Sequence, residues 1–285
     1  MITRFAPSPT GPLHLGHAYS ALMAHDLAQA DGGTFVLRIE DIDLSRARPK
    51  WESQIFDDLT WLGLDWPTPV MRQSDRQAVY QHALSRLWSE GLAYACTCTR
   101  RDIMAAVAAP QEGGLHLMGP DGVIYPGTCR PDGPAPNAPL PDNMALRLHM
   151  DRCLDRLSTT TFAFEETGGG APRTITFCAQ DVRETIGDIV LARRDMGTSY
   201  HLSVVLDDAA QNITHVVRGR DLQEATKIHV VLQHLLGLPT PIYHHHRLIR
   251  DDTGKRLAKR DDARAIAKYR EDGASPADIR AMVGL

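Results

Sequence analysis

The sequence predicts an α/β fold: a Rossmann-like parallel sheet that carries an inserted α+β module and ends in a short helical segment. Three observations predict it. Ile2 to Ala6 is a short apolar run, and Pro7, Pro9, Gly11 and Pro12 force a turn before an apolar helical pattern opens near Leu15. Asp31-Gly32-Gly33 closes that helix, and Thr34 to Ile39 reads as a second strand, so the chain begins as a βαβ unit. With 285 residues, 43% of them hydrophobic, the chain can bury a core large enough to cover such a sheet.

Composition removes several classes of function. Thirty-five acidic residues against 31 basic ones give a net charge of −4, which is no global footprint for nucleic acid and leaves only a local basic patch for that purpose. No stretch approaches the roughly 18 apolar residues of a membrane span, and no basic segment followed by an apolar one opens the chain. Five cysteines, two of them in Cys96-Thr-Cys98, suit reduced thiols better than a disulfide framework. The expectation is a cytoplasmic monomer with no membrane and no DNA partner.

The first strand gives way to a helix within Arg4 to His17. His14 and His17 therefore fall at a helix N-terminus, where backbone N–H groups and the helix dipole favour a phosphate. Neutral imidazoles can donate to phosphate oxygens, and Gly16 leaves room for a base or ribose against the backbone. Ligands of such sheets bind beyond the carboxyl ends of the strands, which gathers Arg4, Ala6, Ser8 and Glu40 around one crevice. Trp51 to Leu62 has helical spacing, with its tryptophans read as packing residues. Ser74 with Gln77 resembles a capping box, and Val79, Ala83, Leu87 and Trp88 continue an amphipathic face to Gly91.

A different segment begins at Tyr94. Cys96 and Cys98 can grip one zinc from a tight turn, and Cys129 can close a tetrahedral site with Tyr125 as oxygen donor; spacing alone leaves His116 or water open as the fourth ligand. Cys153 and Cys178 read as buried small apolar residues. Residues 131–141 form a loop, Ala145 to Leu148 and Thr160 to Phe164 read as strands, Gly168-Gly169-Gly170 supports a turn, and Gly187 to Leu191 starts the return to the parallel sheet.

Tyr200 to Asp208 is too short for periodicity to separate helix from extended core. Ile213 to Val217 is a strand, and by the same strand-end logic Arg218 enters the crevice. Asp221 with Glu224 starts a helix through Leu236, closed by Gly237. The tract His244-His245-His246 then leads into a basic stretch: from His244 to Arg260 there are six Lys or Arg against two Asp, with Gly254 set for a hairpin. Such a loop suits charge on a leaving pyrophosphate. The parts are then a first half of the Rossmann-like domain at 1–93, an inserted module at 94–190, a second half at 191–243, and a basic loop with a short helical end at 244–285.

Arg4-Phe-Ala-Pro-Ser-Pro-Thr-Gly-Pro-Leu-His-Leu-Gly-His17 resembles the first signature of class I aminoacyl-tRNA synthetases, in particular the glutamyl branch. Arg256-Leu-Ala-Lys-Arg260 resembles the second signature, departing from it at Arg256 and Ala258, so Lys259 takes the main burden and Arg256 assists. Only 25 residues follow Arg260, where a full glutamyl enzyme continues into a helical anticodon-binding region. That brevity, the Cys-x-Cys and Tyr-x-x-x-Cys pattern, and Val204 in place of an asparagine look like the glutamyl-queuosine tRNA(Asp) synthetases. The resemblance implies Zn²⁺ on Cys96, Cys98, Tyr125 and Cys129, and ATP with Mg²⁺ at His14, Gly16, His17 and Lys259. It also implies a glutamate pocket with an arginine, Arg4, on the α-carboxylate, Glu40 on the α-amino group, Tyr200 in recognition and Arg218 on the side-chain carboxylate. Its activity would be formation of glutamyl adenylate, then transfer of glutamate to queuosine in the anticodon of tRNA(Asp). Two other readings stay open: a compact glutamyl-tRNA synthetase charging the acceptor end of tRNA(Glu), and a catalytically silent tRNA-binding protein.

Overall fold

The computed structural model describes residues 1–108, 118–133, 138–250 and 264–285. The chain opens with β1 (Ile2–Phe5), α1 (Leu15–Ala30) and β2 (Thr34–Ile39), and β1 pairs with β2 in parallel. Next come α2 (Pro49–Trp61), β3 (Met71–Arg72), which is parallel to β2, a 3-10 turn at Gln73–Arg76 and α3 (Gln77–Ser89). The capping box expected at Ser74 does not form. Ser74 donates through its backbone N and its hydroxyl to Asp41, at 2.8 and 2.6 Å, so a carboxylate just beyond β2 holds it, and α3 starts at Gln77 with Arg76 as an N-cap that makes no side-chain hydrogen bond.

The middle of the chain contains β4 (Ala93–Cys96), α4 (Arg100–Ala108), the hairpin of β5 (Met118–Gly119) and β6 (Gly122–Val123), β7 (Ala145–Leu148) and α5 (Met150–Leu157). It continues with β8 (Thr161–Glu166), β9 (Arg173–Cys178), α6 (Ala179–Thr185) and β10 (Val190–Ala192). After it stand α7 (Tyr200–Ala210), β11 (His215–Gly219), α8 (Thr226–Leu236) and β12 (Ile242–His246), then α9 (Ile266–Glu271) and α10 (Pro276–Val283). The segment from Tyr200 is thus a helix, started by Ser199, whose hydroxyl accepts from Leu202 N. Strand β11 begins later than Ile213, at His215, and Arg218 lies within it. The helix expected from Asp221 starts at Thr226, after a 3-10 turn at Arg220–Leu222.

Strands β4, β7 and β10 form an antiparallel sheet. Strands β11, β12 and β8 pair in parallel, with β9 antiparallel at the edge. The 161–178 hairpin therefore hydrogen-bonds to the same sheet as β12, with Glu166 opposite Tyr243. Gly168 permits this contact, because a Cβ there would stand 2.2 Å from the carbonyl oxygen of His245. The two parallel groups meet where Thr214 N donates to Ile2 O at 3.0 Å, which lays β11 beside β1.

Both faces of these strands are buried, as parallel strands require. In β11 the side chain of Val216 enters one apolar core, with α7 and α8, and that of Val217 enters the other, with α1 and α10. In β2 Phe35, Leu37 and Ile39 join the α1 core while Val36 packs against the other. Arg4 and Arg218 consequently sit near the carboxyl ends of neighbouring strands.

Candidate active site

A cleft of about 390 Å³ opens at those strand ends, a size typical of small-molecule sites. Arg4, Ala6, His14, Gly16, His17, Glu40, Tyr200 and Arg218 all line it. Ser8 lies outside the lining, although it belongs to the same loop. The wall also includes Ser20, Asp221, His246 and Ile249, which sequence reasoning had not assigned.

The histidines build their own helix start. His14 is the N-cap of α1, its Nδ1 accepting from Gly16 N at 3.1 Å, while His14 N donates to His17 Nδ1 at 3.1 Å. The two rings lie against each other with centroids 3.8 Å apart, tilted by 36°. Because each Nδ1 accepts from a backbone N–H, each neutral imidazole carries its proton on Nε2, as a donor. A Cβ at position 16 would meet the His14 ring at 3.0 Å, so glycine there serves the cap itself.

Beneath the cleft lies a buried charge network. Arg4 Nε and Arg38 Nη1 both donate to Asp208 Oδ1, at 3.1 and 2.8 Å, and Arg38 Nη2 donates to Glu40 Oε1 at 3.2 Å. Arg38 is wholly buried, not a solvated strand-end residue. Burial alone would raise Asp208, but the charges of Arg4 and Arg38 overturn it and hold the carboxyl below its usual range. For Glu40 burial prevails over the same two guanidinium groups, and its carboxyl is raised. Burial also raises the Tyr200 phenol, keeping it a neutral donor. Arg218 is held by His245 Nε2, His229 Nδ1, Thr226 Oγ1 and Leu222 O. None of these partners, among the described residues, is a carboxylate. The histidine tract thus forms a strand, and His245 faces Arg218.

The cysteine cluster comes together as its spacing suggested. Cys96, Cys98 and Cys129 place their sulfurs within 4.8 Å of one another, and Tyr125 Oη lies 3.4 Å from Cys96 Sγ and 3.3 Å from Cys98 Sγ. Tetrahedral zinc with Zn–S near 2.3 Å needs sulfurs about 3.8 Å apart, so the donor set fits. Burial opposes ionisation of Cys129, but hydrogen bonds from Tyr125 and Thr97 bring it to about 6. Arg147 lies over the Tyr125 ring at 3.8 Å and its Nε is 3.4 Å from Cys96 Sγ, a cation placed against two prospective anionic ligands. His116, the alternative ligand, lies outside the described residues.

Arg256, Ala258 and Lys259 also lie outside them. The residues on either side are tied to the first signature: Ile249 and Ile266 are buried in the core of α1, Ile266 N donates to Leu13 O at 2.9 Å, and Ala265 forms a bridge with His14. Among the described residues, no helix is long and apolar enough to cross a membrane.

Comparison with known proteins agrees with this geometry. Residues 1–112 and 174–285 match the catalytic domain of class I tRNA synthetases of the E and Q type. The chain is 63% identical over 286 residues to a glutamyl-Q tRNA(Asp) synthetase of Rhodobacter capsulatus, covering all of both chains. It is 41% identical over 283 residues to the one of Nocardia farcinica, covering 98% of this chain and 82% of that one. Among solved structures, a glutamate tRNA ligase from Elizabethkingia meningosepticum in complex with its amino acid superposes with a TM-score of 0.72 at 27% identity. That match covers 99% of this chain but only 60% of the ligase. The chain belongs to the glutamyl-Q tRNA(Asp) synthetase family of class I tRNA synthetases.

Proposed function

We propose that this protein is an ATP-dependent ligase that activates L-glutamate as glutamyl adenylate and transfers glutamate to queuosine in the anticodon of tRNA(Asp). One observation carries the choice of amino acid. Among the described residues, the charged side chains of the cleft lining that are buried or nearly so are Arg4, Arg218 and Glu40. Two cations and one anion complement two carboxylates and one ammonium, the charges of glutamate. Glutamine would leave a buried guanidinium uncompensated, which is expensive.

In the first step an oxygen of the glutamate α-carboxylate attacks the α-phosphorus of ATP. A P–O bond forms there, and the bond to the bridging oxygen of the β-phosphate breaks, releasing pyrophosphate. Arg4 orients the attacking carboxylate, Glu40 holds the ammonium, and Arg218 takes the side-chain carboxylate. His14 and His17 donate to the phosphates at the start of α1, while Lys259 and Arg256 bring positive charge to the departing pyrophosphate. Mg²⁺ bound with ATP supplies further neutralisation. In the second step a queuosine hydroxyl attacks the activated carbonyl, losing its proton as AMP leaves. A zinc ion on Cys96, Cys98, Tyr125 and Cys129 would be structural, fixing the strand end of β4 against the loop carrying Cys129.

The test is transfer of labelled glutamate to tRNA(Asp) with and without queuosine, beside tRNA(Glu), with nuclease mapping of the label. Label confined to the queuosine-containing anticodon is expected. Label on the acceptor end of tRNA(Glu), the product of a compact glutamyl-tRNA synthetase, overturns the acceptor assignment; no adenylate formation at all makes the protein a silent tRNA binder.

A further inference from the structure

Arg218 is prepared differently from Arg4. Arg4 has a carboxylate partner, Asp208, whereas Arg218 donates Nε to His245 Nε2 at 3.2 Å and Nη1 to His229 Nδ1 at 3.1 Å. Its Nη2 donates to Thr226 Oγ1 at 2.7 Å and Leu222 O at 3.2 Å. A guanidinium has no acceptor, so each imidazole must present an unprotonated nitrogen, and an imidazolium could not take either place.

The tautomers then follow around both rings. His245 carries its proton on Nδ1 and donates it to Glu166 Oε2 of β8. His229 carries its proton on Nε2 and donates it to His201 Nδ1 at 3.1 Å; His201 in turn donates through Nε2 to Asp121 Oδ1 at 3.2 Å. Two directed hydrogen-bond chains thus run outward from one guanidinium, ending on carboxylates that do not touch it. Both proximal rings are buried, and burial followed by the Arg218 charge keeps them neutral, His229 well below its ordinary range and His245 at about 4. Had either position been acidic, the guanidinium would already be paired.

We propose that His229 and His245 are positioning residues that set glutamate-over-glutamine selectivity, fixing the Arg218 fork with neutral acceptors so that a substrate carboxylate completes its charge. The inference rests on glutamate being the amino acid bound here. A buried charged hydrogen-bonded pair is worth far more than a neutral one, so a carboxylate placed at either position competes with the substrate for Arg218.

The experiment is amino-acid-dependent ATP–pyrophosphate exchange with the full chain and with His229→Gln and His229→Glu. His229→Glu is expected to raise KM for glutamate by about tenfold or more and to narrow the preference for glutamate over glutamine, with KM for ATP little changed. His229→Gln restores a neutral acceptor and should raise KM only by about threefold, keeping the preference. Equal effects of the two variants on glutamate KM and on selectivity would reduce His229 to a packing residue and overturn the inference. His245→Glu and His245→Gln, which approach the same guanidinium from β12, give the same comparison if His229→Glu does not fold. A parent chain that exchanges pyrophosphate with no dependence on glutamate refutes the substrate assignment itself, an outcome the variants cannot mimic.

Discussion

Asp208 Oδ1 accepts from Arg4 Nε at 3.1 Å across 204 residues of sequence, joining the last turn of α7 to the end of β1. The same oxygen takes Arg38 Nη1 at 2.8 Å, so one carboxylate balances two buried cations. Removing its charge takes the carboxylate partner from buried Arg4 and leaves Arg38 with Glu40, a loss on the order of 3–5 kcal/mol. Asp208→Asn should therefore lower the urea midpoint strongly and raise KM for glutamate, since Arg4 loses its orientation. An unchanged midpoint would mean that the pair is solvated enough to be dispensable.

Glu40 is the complementary case. Its carboxyl is raised because burial outweighs Arg38 and Arg4, so a substrate ammonium beside it would stabilise its charged form. Glu40→Gln keeps the shape and removes the attraction. The expected loss in kcat/KM for glutamate is about a hundredfold, from the roughly 2–5 kcal/mol of a buried charge pair, with KM for ATP nearly constant. Steady-state pyrophosphate exchange at varied glutamate and varied ATP reads the two separately, and a parallel rise in both KM values would contradict the assignment.

Zinc analysis tests the cysteine cluster. About one zinc per chain is expected in the purified protein. Cys98→Ser should abolish it and destabilise the module, whereas Cys178→Ser should retain it. Zinc retained by Cys98→Ser would place the metal elsewhere.

How much of this could be read in advance divides along a physical line. Elements with strong local punctuation were legible: β2 falls on residues 34–39 as expected, β7 on 145–148, and α8 ends at Gly237 with φ at +69°. The gathering of Cys96, Cys98 and Cys129 and the strand-end position of Arg4 and Glu40 were legible for the same reason, since spacing and topology decide where they fall. What escaped depends on partners distant in sequence. Nothing near Ser74 announces that Asp41 will capture it, and nothing near Arg38 says that Asp208 will bury it. Helix α5 did carry a signal, with Met150, Cys153, Leu154 and Leu157 at helical spacing, but its Asp and Arg content hides the stripe. The histidine tract reads locally as a possible metal ligand set, and only the sheet pairing of β12 with β11 turns His245 to Arg218.

Stability should fall on mild acidification. His245 moves from 6.5 unfolded to about 4 folded, and burial, the leading cause for each, also lowers His229, His246 and His149. A depressed folded value means that the unfolded chain binds more protons: the contribution is present above 6.5 and is lost as pH falls through the folded value. For His245 the span of about 2.5 units corresponds to on the order of 3 kcal/mol. Glu40 acts in the opposite sense, its raised carboxyl contributing below 4.5 and losing that contribution as pH rises through its folded value. Urea midpoints should thus decline between pH 6.5 and about 4, and His245→Gln should flatten the slope. A His245→Gln slope equal to that of the parent would show that this ring is solvated.

The C-terminal helices set two kinds of contact against each other. Ile279 and Val283 of α10 are fully buried in the core of α1, while Arg280 pairs with Asp26 through two hydrogen bonds at 2.7 and 2.9 Å in a partly exposed position. Burial should dominate. Ile279→Ala is expected to cost about 3 kcal/mol through lost apolar contact and a cavity, and Arg280→Ala no more than about 1 kcal/mol. The same core holds Leu13 and Leu15, on either side of the His14 cap, together with Ile266, whose backbone N reaches Leu13 O. Loosening α10 should therefore raise KM for ATP before it affects KM for glutamate, because Arg4 is held independently by Asp208. Chemical denaturation with pyrophosphate exchange at limiting ATP checks both, and an Arg280→Ala loss larger than that of Ile279→Ala would show that the ion pair, not the buried face, fastens α10 to α1.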